Sequence, residues 1–108
     1  MAQATADQLD RTFAALADPT RRAILDRLRA GAARAGALAA DFQKSRPAVS
    51  KHLRVLRQAH LVADVRVGRE RVYTLEPAGL ARVAGWLEGY RWFWQSSLTK
   101  LKRHLEGK

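Results

Sequence analysis

The chain has 108 residues, 47% of them hydrophobic, with 20 Lys and Arg against 10 Asp and Glu. That length suits a single domain, residues 1–108, and the apolar content is too high for a disordered chain. A net charge of +10 points to an anionic partner, and the lack of cysteine excludes disulfides, thiol catalysis and thiolate metal sites. Fifteen of the cations are Arg, the side chain best suited to forked contacts with phosphate and guanine. No apolar run approaches the roughly 20 residues needed to cross a bilayer, so no membrane partner is expected. The opening MAQATADQLD lacks the basic and apolar regions of a secretory signal, which makes a cytoplasmic protein the default expectation.

The first helix is expected from about Gln8 to Ala17, with Leu9, Phe13 and Leu16 on one face. Asp18 then serves as N-cap and Pro19 as first residue of a second helix, whose buried stripe is Ile24, Leu25 and Leu28 and whose stop is Gly31. A short third helix runs through GALAADFQ, with Leu38 and Phe42 four apart. Ser45 caps a fourth, RPAVSKHLRVLR, with Pro47 in its first turn.

The fourth helix is divided by chemistry. At 100° per residue, Val49, Leu53 and Leu56 lie within about 60° of one another, and Pro47, Ser50, Lys51, Arg54 and Gln58 lie opposite. An ordinary solvated face intersperses acids for i,i+4 pairing, but from Ser45 to Ala63 there is no acid. One face docks, and the other offers cations and hydrogen-bond donors from a rigid rod.

The period then changes. In LVADVRVGRERVYTL, Ala63, Val65 and Val67 share one parity, Asp64 and Arg66 the other, and a Gly-containing turn separates two runs: a β-hairpin. Arg66, Arg69 and Arg71 cluster at its tip, where Glu70 is placed to neutralise one of them. From Pro77 to about Leu105 the helical period returns, with Leu80, Val83, Leu87, Tyr90, Trp94, Leu98, Leu101 and Leu105 recurring at three or four. As one helix this span is about 43 Å long, against a radius of gyration of about 13 Å for a compact chain of this size, so it overhangs its domain or breaks. Gly85 and Gly89, four apart, suggest a crossing point or a bend, and Trp86, Trp92 and Phe93 widen the apolar surface beyond one seam. A second copy of the chain is the simplest cover for it.

The expected fold is mainly α with a small β-hairpin (α+β), in the order α-α-α-α-β-β-α: a winged helix-turn-helix, dimeric. FAALADPTRRAILDRL (13–28), SRPAVSKHLRVLRQAHLV (45–62) and VGRERVYTL (67–75) resemble, in order, the opening signature, the recognition helix and the wing of the ArsR-type bacterial repressors. WLEGYRWFW (86–94) is similar to a sub-group without the metal-binding cysteines. The resemblance implies a homodimer that represses by occupying a promoter, with double-stranded operator DNA in inverted repeat as partner. It implies DNA contacts at Ser45, Arg46, Ser50, Lys51 and Arg54 of the recognition helix and at Arg66, Arg69 and Arg71 of the wing. Pro47, His52 and Arg57 of the same helix complete the expected DNA-binding set, although His52 sits at the edge of the core face and suits a packing or orienting role equally well. The first and last helices are expected to pair across the two-fold axis through Leu9, Phe13, Leu87, Tyr90, Trp94, Leu98 and Leu101.

No metal or other cofactor is expected, because a transition metal needs three or four converging ligands and the last helix offers only His104 with Glu106 two residues on. An unknown small-molecule inducer could lodge among Trp86, Tyr90, Phe93 and Trp94, a set that reads first as dimer core. An enzyme is disfavoured: Ser50 and His52 face different sides of one helix and cannot address each other. The competing reading is a non-specific nucleoid-associated or RNA-binding basic protein, although the aromatic motif of RNA-recognition domains is missing.

Overall fold

The computed structural model describes residues 2–107. Its elements run α1 (Ala2–Leu16), α2 (Pro19–Leu28), β1 (Ala33–Arg34), α3 (Ala35–Asp41), α4 (Arg46–Gln58), β2 (Val62–Val67), β3 (Glu70–Leu75), α5 (Pro77–Glu88) and α6 (Arg91–Glu106). The three strands form one antiparallel sheet in the order β1-β3-β2. No helix is long and apolar enough to cross a membrane.

Local chemistry sets most of these boundaries. Asp18 accepts a hydrogen bond from the Arg21 N–H and Pro19 opens α2. The Ser45 hydroxyl accepts from the Ala48 N–H and opens α4. Both satisfy donors that a helix start leaves orphaned. The helix-turn-helix pair ends on left-handed residues. Gln43 (φ 54°) follows α3 and His60 (φ 57°) follows α4. Lys44 N–H donates to Ala39 O and Gln43 N–H to Ala40 O, while Leu61 N–H donates to Leu56 O and His60 N–H to Arg57 O. These paired bonds reverse the chain at the turn inside the motif and again where it ends after α4. In the hairpin, Val67 pairs with Glu70 across Gly68 and Arg69, and Gly68 takes φ 65°, which a two-residue turn of this twist requires at its first position.

The core is built around the motif. Ile24, Leu38, Val49, Leu53, Leu56, Leu61 and Val62 are fully buried, so the stripe expected on α4 docks as its spacing implied. The N-terminus of α5 seats on the turn after α4. Gly79 donates its N–H to His60 O at 2.8 Å, and a Cβ there would lie 2.6 Å from that oxygen and 2.7 Å from Ala59 O. Only glycine permits this approach.

Four expectations need correction. The first helix begins at Ala2 instead of Gln8, because Ala and Gln sustain a helix without contributing to an apolar stripe. A strand, β1, was not foreseen; two residues cannot display an alternation. The terminal helical span is two helices. Gly89 and Tyr90 donate to Trp86 O and Leu87 O in tightened i→i−3 bonds, so the axis bends at Gly89. Glu70 pairs with Arg34 of β1, at 2.6 Å, and not with an arginine of the hairpin tip.

Candidate nucleic-acid interface

On α4 the exposed residues are Arg46, Pro47, Ser50, Lys51, Arg54, Arg57 and Gln58, with the capping Ser45 just ahead of them. Pro47, Ser50, Lys51 and Arg54 lie opposite the buried Val49, Leu53 and Leu56, and Arg46 and Arg57 flank that stripe. The hairpin projects beside this helix, and Arg66, Arg69 and Arg71 are exposed on it. Arg66 folds back locally, its Nε donating to Gly68 O at 3.3 Å. The fold therefore brings Ser50, Arg54 and Arg57 of the expected recognition helix together with Arg71 of the expected wing. Between them lies a cleft of about 280 Å³ lined by Ser50, Leu53, Arg54, Arg57, Arg71 and Tyr73. Such a cationic concavity attracts polyanions and concentrates their field.

His52 stands apart from that face. Its ring is partly buried, with Nδ1 3.4 Å from Arg21 Nη1 and 3.9 Å from an Asp18 oxygen. Arg21 also donates from Nε to Ala15 O at 2.7 Å and from Nη2 to Ala14 O at 3.1 Å, binding the orphan carbonyls at the end of α1. His52 thus orients α4 against the α1–α2 junction. Asp18 closes this corner. The hydrogen bond from the Arg21 N–H outweighs partial burial and, with the charges of Arg21 and His52, holds the carboxyl below its ordinary value.

Sequence reasoning missed Asp64. Placed only on the polar parity of β2, it is buried between helix and hairpin and accepts from Arg57 Nη1 at 3.3 Å and Arg71 Nη1 at 2.5 Å. Burial alone would push this carboxyl up, but the hydrogen bonds and charges of Arg71 and Arg57 prevail and hold it below the usual carboxylate range. The available signal was that Asp64 is the first acid after an acid-free run, flanked along the chain by arginines.

The residues expected to pair two copies lie on α1, α5, α6 and the α5–α6 junction. Phe13 of α1 meets Trp86 of α5 edge-on at 5.3 Å, and Trp86 meets Tyr90 at 4.9 Å. Leu9 and Trp94 are partly buried, Leu87, Tyr90 and Leu101 are exposed, and Leu98 retains 61% of its surface. No residue of α6 is buried. One Arg82 nitrogen is buried without a hydrogen-bond partner, beside a groove formed with Leu9, Gly85 and Trp86. The radius of gyration, 17.9 Å, far exceeds that of a compact chain of this length. Among the described residues no three His, Asp or Glu side chains come together to hold a metal.

Comparison with known proteins bears on both faces. Residues 16–65 match the family model described as a helix-turn-helix domain. The chain is 51% identical over 90 residues to the HTH-type transcriptional regulator Rv2034 of Mycobacterium tuberculosis, covering 83% of this chain and 81% of that protein. It is 39% identical to the transcriptional repressor SdpR of Bacillus subtilis, over 73% of this chain and 88% of the relative. Among solved structures, an ArsR-like transcriptional regulator from Rhodococcus superposes with a TM-score of 0.73 at 38% identity, over 93% of this chain and 94% of its own. A homodimeric winged helix-turn-helix DNA-binding domain from Mycobacterium bovis superposes with a TM-score of 0.69 at 26% identity, over 98% of this chain and 89% of its own.

Proposed function

Since the chain belongs to the ArsR family of winged helix-turn-helix transcriptional regulators, we propose that it is a homodimeric repressor that occupies an inverted-repeat operator and acts by exclusion, without catalysis. The observation that carries this is the acid-free, exposed face of α4 set beside the arginines of the hairpin, with the opposite face of the same helix fully buried. In this reading Arg54, with Ser50 and Lys51, meets base edges in the major groove, Ser45 and Arg46 hold the adjacent backbone, and Arg66, Arg69 and Arg71 follow phosphates or the minor groove. Arg57 and Arg71 share Asp64 and remain about half exposed, with N–H groups beyond those given to the carboxylate. The apolar flank of α1, α5 and α6 closes on a second copy, which sets the half-sites about one helical turn, or a small multiple, apart.

Binding to the protein's own upstream region, footprinted and then measured across salt, tests the reading. If each subunit neutralises about four phosphates, log K falls with log salt at a slope near −7. Arg54→Ala is expected to flatten discrimination between the operator and a mutated operator, at about 1–3 kcal/mol, while Arg69→Ala weakens both by a similar factor. Binding with a flat salt dependence contradicts the assignment. Steep binding without sequence preference favours the non-specific basic protein instead.

A further inference from the structure

Asp64 occupies an unusual position for an acid in a strongly cationic surface. Its side chain is only 6% exposed, while those of its partners Arg57 and Arg71 are 54% and 53% exposed. Arg57 belongs to the last turn of α4, Asp64 to β2, and Arg71 to β3. One carboxylate therefore joins the recognition helix to both strands of the wing, and its partners Arg57 and Arg71 line the cleft together with Ser50 and Arg54. The hairpin base is held by Val62, Tyr73, Leu75 and the pairing with β1, whereas Val65 and Val67 farther out on β2 are exposed, and there the Asp64 carboxylate ties the hairpin to α4. Burying a lone carboxylate is unfavourable, and two charge-assisted hydrogen bonds offset it.

The arrangement bears on how duplexes are discriminated. Arginines left free at a cleft mouth reach any phosphate, and that attraction carries no sequence information. Two arginines held on one carboxylate have part of their field compensated by it and lose much of their reach. What remains is a set of N–H groups at defined positions relative to Arg54. Resting on the DNA-binding reading above, we propose that Asp64 is a positioning residue that determines specificity: it clamps Arg57 and Arg71 so that helix and wing engage one duplex geometry, and it withholds both arginines from the phosphates of other DNA.

The consequence has an unusual sign. Asp64→Asn keeps the shape but removes the charge and one of the two accepting oxygens, so it cannot hold both arginines. It is expected to bind a scrambled duplex three- to tenfold more tightly, to steepen the salt slope by about one per released arginine, and to lower the operator-to-scrambled ratio at least fivefold. Asp64→Glu, which keeps the charge at longer reach, stays closer to wild type in its binding to scrambled DNA. A purely structural role for Asp64 would weaken both duplexes equally, and either that result or an unchanged ratio would overturn the proposal. A second measurement needs no DNA: exchange of the Arg57 and Arg71 Nη1 protons, the ones donated to Asp64, with water in free wild-type protein, followed by NMR, is expected to be slow compared with that of the Arg69 guanidinium. Exchange as fast as that of Arg69 removes the clamp, including the case in which the Asn variant fails to fold. If wild type itself does not discriminate the operator while these protons exchange slowly, the operator reading fails and the clamp stands as a geometric fact without a role in specificity, which overturns the proposal.

Discussion

Replacing Leu98 by Ala tests the dimer through a residue whose contribution can be worked from its exposure. Leu98 lies on α6 and keeps 61% of its surface in the single chain, whereas Trp94 is already partly buried, so truncating Trp94 would also disturb its own subunit. Fully burying a leucine is worth about 1.5–3 kcal/mol, so covering the exposed part contributes roughly 1–2 kcal/mol, of which Ala recovers less than half. The two-fold axis counts the loss twice, giving about 2 kcal/mol per dimer and a dissociation constant about thirtyfold higher. Because the side chain is largely exposed in one subunit, and Ala favours a helix, the monomer is expected to hold its fold. Sedimentation equilibrium across micromolar concentrations measures the constant. Gel shift on the operator is expected to weaken in parallel and to recover when protein exceeds the new constant. Trp92→Ala is the matched control: Trp92 is 80% exposed but lies about 160° around the helix from Trp94, away from the seam, and its loss should leave the constant unchanged. A shift of less than threefold for Leu98→Ala, or an equal shift for the control, would refute this seam.

Gly79→Ala is expected to lower unfolding free energy by about 2–3 kcal/mol in urea, because the added methyl meets two backbone oxygens that cannot rotate away. Dimer affinity should fall with it, since Gly79 is where α5 attaches to the body of the domain. The acid response follows from Asp18 and Asp64, both held below the ordinary carboxylate value in the fold. A depressed folded value stabilises fully above the unfolded pKa of about 3.9 and is lost as pH falls through the folded values. Their contribution is therefore constant from pH 7 to about 5, begins to fall near the unfolded value of about 4 and vanishes only below the folded values, and Asp64→Asn should flatten part of that acid slope in melts followed by circular dichroism.

How much was legible depended on the range of the interaction. The caps at Asp18 and Ser45, the prolines that follow, the Val49–Leu53–Leu56 stripe and the Gly68 turn act within about four residues, and all appear in the fold as their spacing implied. So did the separation of cations from core on α4, because a helix fixes side-chain direction by sequence distance alone. The bend at Gly89 stood in the sequence only as one of two options for a span too long for its domain, and packing of Trp86 against Phe13, 73 residues away, accompanies the choice. Four features depended wholly on tertiary structure. The strand β1 exists only because β3 pairs with it. Glu70 faces Arg34 across that new edge instead of the neighbouring hairpin arginines. Gly79 must be glycine because α5 descends onto the carbonyls of the α4–β2 turn. Asp64, indistinguishable along the chain from any polar strand residue, becomes the buried junction of helix and wing. Each joins segments whose distance in space has no counterpart in sequence spacing, so local propensity could assign elements and faces but not the contacts that set one element against another.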